Sequence, residues 1–511
     1  MALYAINKKF RFRNIRSAPN GMVLRCFSSN CQWRVYTTKL KDSDVYEIRK
    51  LDPIHTFSVD DRSGYQSQVT HHVVGEIMKA RFNGSGSGPK PGEIRQVMQG
   101  DHDVRISYWK AWRSREIALE YAKGNSIGSY NLLPDYLCKL AQANPGTLAE
   151  IETEYKDNIG NMFKYLFLAM GASIMGFEYM RKVVVVDGTH LRGKYVGCLL
   201  TASAQDGNSQ VFPLAIAIVD GENDNSWEWF FKTLQAFVPN SNDIVFVSDR
   251  HASIYYGLAK VYPEARHCAC ILHLKRNIRT YYKDKNLGFL VAKAGRAYRL
   301  ADFYKIFNEI KCVNASCADY LIGIGFEHWA RSHFPGRRYN IMTSKVAESW
   351  NAVLREAREY PILALVEFIR AKLMSWFSAR DSTNSANLDK FIPKVMEILA
   401  VNFESSAAAA IVAKIKVDSL VAEEYTKNTT FAAYVGSVAP VIDTDDIIEL
   451  SGQFSELDML PPSTKHPPGR PRKKRFLSRG EVRMKTPRRR TVCSRCKGCG
   501  HNRATCKTPI S

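Results

Sequence analysis

Apolar and polar positions change period along this 511-residue chain. Over residues 1 to about 60 they alternate, so that LYAINKKFRFRNIRS, MVLRCFSSNCQWRVYTT and VYEIRKLDPIHTF each read as strand, with a turn between. From about 66 to 150 the period is helical: VVGEIMKARF, GEIRQVMQ, SYWKAWRSREIALEYA and LLPDYLCKLAQAN form short amphipathic helices broken by turns such as NGSGSGPKPG. From about 160 to 275 strands and helices mix. KVVVVDG, GCLLTASAQDGN and QVFPLAIAIVDG read as strands, SWEWFFKTLQAFV as helix, DIVFVSD as strand, HASIYYGLAKVYP as helix and ARHCACIL as strand. Residues 275 to 400 are helical, a weakly patterned stretch follows to about 450, and MLPPSTKHPPGRPRKK is a Pro-rich linker.

Three strands joined by tight turns, then alternating helix and strand, is the order of an RNase H-like sheet. The expected class is α+β and multidomain. Its parts are a small β-rich module over 1–65, a helical bundle over 66–158, an α/β core with a helical insertion over 159–400, and a weakly patterned region over 401–460. A basic linker over 461–490 and a Cys-rich end over 491–511 complete it.

The stretch VVVVDGTH drives a fully apolar strand into a core and ends it on Asp187. Asp-Gly is also a common turn. A second strand, IVFVSDR, ends on Asp249, which equally suits an N-cap of the next helix. Carboxylates at the ends of adjacent strands repel unless a cation lies between them. A third acid, Glu348, lies in the helical TSKVAESWNAVLREA. Three such carboxylates can hold two divalent ions about 3.5–4 Å apart for phosphodiester chemistry, and hard oxygen ligands select Mg²⁺ or Mn²⁺.

Cysteines and histidines supply a different chemistry. CSRCKGCGHNRATC places Cys493, Cys496, His501 and Cys506 at zinc-knuckle spacing, with Cys499 spare. So short a segment folds only around its metal, and knuckles bind single-stranded nucleic acid or protein. The formal charge of +22 is uneven: Lys465 to Arg490 holds twelve Lys or Arg against Glu481, which calls for a polyanion or solvent. GRPRKK, with Arg470, Arg472, Lys473, Lys474 and Arg475, suits both the A·T minor groove and a nuclear import receptor. In the helical bundle, Lys110, Arg113 and Arg115 on SYWKAWRSREIALEYA mark a candidate DNA-reading helix, with a packing helix as the plainer reading. No apolar run reaches the roughly 18 residues of a membrane span. A soluble, nuclear protein is expected.

From Arg181 to about Asn351 the residues resemble the catalytic domain of plant Mutator-like element transposases of the MuDR type, a DDE branch of the RNase H-like superfamily. The phrases that carry the resemblance are VVVVDGTHLRGKYVGCLLTASAQDGN, FPLAIAIVDGENDNSWEWFF, VSDRHASI, CACILHLKRN and SKVAESWN. Outside it, CFSSNCQWRVY, ISYWKAWRSREIALE, YLCKLAQANPGT and FKYLFLAMGASIMGF resemble the family's N-terminal DNA-binding region. The resemblance implies that Asp187, Asp249 and Glu348 are the catalytic triad, that Cys270 and His273 are the family's Cys-x2-His element, and that Trp227 is either a DNA-contacting aromatic or a core residue. It also implies a WRKY-type zinc module at the N-terminus, for which Cys26, Cys31 and His55 fit. Phe57 stands at the fourth ligand position, so His71 or His72 substitutes or the site stays three-coordinate. The family's SWIM-type finger is absent, since no cysteine lies between Cys317 and Cys493. ESSAAAAIVAKI and VDSLVAEEYTKNTTF look like its flanks joined.

The expected function is therefore DNA transposition: binding terminal inverted repeats, metal-dependent cleavage and strand transfer to target DNA, with homo-oligomerisation an open partner. A domesticated, non-catalytic DNA-binding regulator is the alternative.

Overall fold

The computed structural model describes residues 1–41, 45–56, 64–83, 88–386, 391–401, 421–441 and 459–462. Phe57, the basic linker with Arg470, Arg472, Lys473, Lys474 and Arg475, and the knuckle with Cys493, Cys496, His501 and Cys506 lie outside the described residues. The class is mixed α+β. Two compact units form, the first from residues 1–181, 187–222 and the described residues from 346 on, the second from 182–186 and 223–345.

The first unit begins with a difference from the alternating pattern. Ala2–Asn7 is a helix, since Ala and Leu favour helix and Ala5 packs with Phe10 and Trp33 in the core of the module. An antiparallel sheet follows in the order β1 (Phe12–Ala18), β2 (Gly21–Cys26), β3 (Arg34–Lys39), β4 (Tyr46–Asp52). Helices His71–Lys79, Pro91–His102 and Tyr108–Lys123 come next, the first capped by Thr70, whose Oγ1 accepts from Val73 N at 3.3 Å. Ser107 caps the third, accepting from Lys110 N at 3.1 Å.

The helical run gives way at residue 148. LAEIETEYK is partly exposed along its length and forms β5 (Leu148–Lys156), an outer strand paired antiparallel with β6 (Gly160–Ala169). The short turn between them spans the residues where the sequence pattern changes from bundle to mixed core. FKYLFLAM is therefore strand, and only Gly171–Phe177 of that phrase is helix. Gly171 is required there, because a Cβ would meet Pro145 O at 2.1 Å.

β7 (Val183–His190) enters this unit at Asp187 and neighbours β8 (Cys198–Gln205), which pairs antiparallel with β9 (Val211–Val219), itself antiparallel to β6. Met459–Leu460 runs parallel to β6. Helix Ile362–Ala386 and helix Lys427–Tyr434 complete the unit.

In the second unit, Val183–Val186 is 0% exposed at each valine, the burial on both faces that suits an apolar, β-branched parallel strand. β10 (Val245–Ser248) runs parallel to it with Val245 opposite Val183 and Val247 opposite Val185, and β11 (Arg266–Ala269) runs parallel to β10. Helices Asp224–Leu234 and Ala252–Val261 pack on each other. Helices Ile271–Tyr282, Lys285–Arg296, Leu300–Val313 and Ala315–Ile324 bury a core of their own, with Phe303, Trp329 and Leu321 at its centre.

Candidate functional site

Asp187 is the first residue of β7 to leave the core: the burial of the strand falls from complete at Val186 to partial at Asp187. Its backbone carbonyl accepts from Thr201 Oγ1 at 3.2 Å, and its Oδ2 accepts from Asn351 Nδ2 at 2.8 Å. Asn351 lies on helix Lys345–Val353, one turn beyond Glu348. Residues three apart on a helix share a face, so the contact through Asn351 turns the Glu348 face toward the end of β7. Asn351 Oδ1 is buried with no hydrogen-bond partner in the structure. Gly188 explains the second half of the DG pair: a Cβ there would meet Glu222 Oε1 at 2.7 Å. Glycine thus admits a further carboxylate to the strand beside Asp187. Glu222 was missed by the sequence reading, although its place just past β9, in IVDGEND, was a signal for it.

An arginine backs this strand end. Arg358 is 7% exposed, and its Nη1 donates to Thr189 Oγ1 and to the His190 carbonyl. Burial pulls its pKa down to about 10, Arg192 and Arg355 add to the fall, and Glu359 and Asp187 oppose it. Arg192 N donates to the Arg358 carbonyl at 2.8 Å. Glu359 is engaged by Arg115 at 2.5 Å.

In the second unit, Asp249 follows β10. Ser248 Oγ donates to its carbonyl at 2.6 Å, and its Oδ1 accepts from His251 N at 3.1 Å. His251, not Asp249, is the N-cap of Ala252–Val261, its Nδ1 accepting from Ser253 N at 3.3 Å. Cys270 and His273 meet Ser344. Cys270 Sγ accepts from Ser344 N at 3.2 Å and Ser344 Oγ at 3.3 Å, while Ser344 Oγ stands 3.3 Å from His273 Nδ1. Cys270 N also donates to Ser248 O at 2.7 Å, and Ile271 N to Met342 O at 3.0 Å. The Cys-x2-His element therefore ties the end of β10 to the segment leading into helix Lys345–Val353. Burial alone would raise the Cys270 thiol, but His273 and Ser344 outweigh it and hold the pKa below its usual value. Trp227 is 0% exposed and stacks on Phe231, the core reading of the two.

The candidate DNA-reading helix uses its bases internally. Lys110 Nζ donates to Val69 O at 2.9 Å, Arg113 pairs with Glu116 at 2.9 Å, and Arg115 reaches Pro89 O and Glu359. Its solvent-facing groups include two aromatics, Tyr108 at 54% and Trp109 at 62% exposed, as well as Arg113.

Among the described residues one trio of Cys, His or acidic groups brings its ligand atoms within 4.8 Å of one another: Cys26, Cys31 and His55. β2 ends on Cys26, Cys31 precedes β3, and His55 follows β4, so three strand ends deliver the three ligands. Cys31 Sγ stands 3.5 Å from His55 Nδ1. Sulfur and nitrogen bound to one tetrahedral zinc at ordinary bond lengths stand roughly 3.5 Å apart. The His55 ring stacks on Trp33 at 5.4 Å, which fixes its plane. Neither His71 nor His72 joins the trio. The two rings pack together at 4.6 Å, and His72 Nδ1 lies 3.1 Å from Tyr121 Oη in the helical bundle.

β7 carries Asp187 within it, Asp249 follows β10, Asn351 of helix Lys345–Val353 meets Asp187, and a Cys/His trio gathers on a small sheet. Residues 183–277, from β7 into helix Ile271–Tyr282, match the family model described as MULE transposase domain. The chain is similar to Protein FAR1-RELATED SEQUENCE 5 of Arabidopsis thaliana, 25% identical over 147 residues, which are 29% of this chain and 18% of the relative. It is also similar to Protein FAR1-RELATED SEQUENCE 6 of the same plant, 22% identical over 160 residues, 31% of this chain and 22% of the relative. The chain thus aligns with only about a fifth of the length of these relatives.

Proposed function

We propose that this chain is a divalent-metal-dependent DNA transposase of Mutator-like type, which binds terminal inverted repeats, cuts the element's ends and transfers them to target DNA. The observation that carries this reading is the hydrogen bond from Asn351 to Asp187, because it turns the helix face bearing Glu348 toward a strand-end aspartate. The donors suit a hard cation: two carboxylates and a buried amide oxygen, Asn351 Oδ1, with no other partner in the structure. Mg²⁺ or Mn²⁺ held there would activate an attacking oxygen and stabilise a leaving one.

Asp249 is the third acid of the proposed set. It is assigned to the set by the family resemblance, and it follows β10 directly. The core is accordingly read as RNase H-like. Cys26, Cys31 and His55 would hold zinc in an N-terminal DNA-binding module, and Cys493, Cys496, His501 and Cys506 a second zinc in a knuckle. The basic linker supports nuclear import through a receptor as well as contact with DNA.

The test is cleavage of a duplex carrying the inverted repeats that flank the gene, in Mg²⁺ or Mn²⁺. Asp187→Asn should cut about a hundredfold less, or worse, while binding the same duplex as well as the parent does, because only a negative charge near phosphate is lost. Equal cutting by the variant removes Asp187 from the site. A parent chain that binds the repeats and cuts in neither metal would instead be a DNA-binding derivative.

A further inference from the structure

Three arginines gather at the end of β7, with Glu359 and Asp187 as opposing charges. Arg358 is buried against Thr189 and His190, and its Nε is buried without a hydrogen-bond partner in the structure. Arg192 and Arg355 stand close enough to repel it. Both are exposed, and among the described residues neither makes a salt bridge that would neutralise it. Glu359, the adjacent acid, is taken by Arg115 at 2.5 Å. The positions are held by backbone: Arg192 N bonds to the Arg358 carbonyl at 2.8 Å, and Arg358 N to Leu354 O at 3.1 Å, which places Arg355 and Arg358 a turn apart. Three guanidiniums gathered beside one strand end repel one another, and a chain has no gain from that arrangement unless an anion comes to it. The forked donors of arginine match phosphate oxygens in pairs.

We propose that Arg192 and Arg355, with Arg358 fixed behind them, form a docking site for the DNA backbone, receiving phosphates next to the one that Asp187 serves. The site rests on the transposase reading for its substrate. It is distinct from the bases of helix Tyr108–Lys123, which are spent on internal contacts, and from the basic linker.

The experiment measures the affinity of the full chain for the inverted-repeat duplex in Ca²⁺ across a series of salt concentrations, for the parent, for Arg192→Ala/Arg355→Ala and for Arg192→Lys/Arg355→Lys. Each lost phosphate contact removes about one from the slope of log affinity against log salt. The alanine pair should therefore flatten the slope by about two, and the lysine pair, which keeps the charge, should restore it. An unchanged slope in the alanine pair overturns the site. Lysine and alanine pairs that flatten it equally also overturn it, since the effect would then not follow charge. Cleavage is scored separately: a flattened slope in a chain that does not cut keeps this site and sinks the catalytic reading, whereas normal cutting with an unchanged slope does the reverse.

Discussion

Three single residues, Cys26, Cys31 and His55, make the candidate metal site of the N-terminal module. Burial pushes the Cys26 thiol up, and Cys31 beside it adds to the shift. Zinc held by the trio as proposed would take both as thiolates and would brace a small module whose core is Ala5, Phe10, Leu24, Trp33 and Val35. Cys31→Ser should lower zinc content by one equivalent per chain, read by elemental analysis, and lower the unfolding temperature of the module. A variant that keeps the full zinc content would show that the trio is only a packed cluster. Trp227 illustrates the opposite outcome: a residue whose type allows a DNA contact is used to fill the space between two helices.

Between elements, one imidazole holds two strands together. His267 on β11 has its Nε2 2.8 Å from Ser248 Oγ on β10, and its ring packs edge-on against Tyr255 at 4.3 Å. Burial, with His328 nearby adding repulsion, pushes its pKa down from 6.5 to about 3. A histidine whose folded pKa is depressed stays neutral in the fold while the unfolded chain takes up a proton. Its contribution is complete above about pH 6.5 and is lost as pH falls from there toward 3. Urea unfolding of the parent should therefore show stability falling through that window, and His267→Gln should flatten the fall; identical pH slopes in the two proteins would refute the assignment. The Ser344 contacts of Cys270 and His273 act on the same region, since they tether the start of helix Lys345–Val353.

At the scale of a whole compact unit, distant segments share one core. The first unit draws on three stretches of chain, and described residues of the last pack into it. Tyr434 is 2% exposed, its hydroxyl donates to Asp206 Oδ2 at 2.9 Å and accepts from Arg380 Nη1 at 2.9 Å, and Ala439 N donates to Asn144 Oδ1 at 2.7 Å. Asp206 is itself 1% exposed, so losing these partners leaves a buried acid under-satisfied, a cost of about 1–3 kcal/mol. A chain ending at residue 420 should unfold several degrees lower and be cut faster by protease within residues 1–181. Unaltered melting would mean that residues 421–441 do not support this core.

The order of strands and helices from 183 to 269 was legible because burial on both faces forces continuous apolar runs, and amphipathic helices between them show a 3.6-residue period. The trio Cys26, Cys31 and His55 was implied by the family resemblance, and the fold brings its ligand atoms within 4.8 Å of one another. Other features could not be read this way. Whether Ala2–Asn7 is strand or helix depended on the core that Phe10 and Trp33 offer it. That Lys110 and Arg115 turn inward depended on which carbonyls and acids lay within reach. Glu222 and Asn351 reach β7 from segments 35 and 164 residues beyond Asp187 in the sequence, and only folding brings them there. Sequence by itself determined residue type and period, which are local properties. Tertiary structure decided partnership, because a side chain's partner is set by the packing of segments that no local pattern encodes.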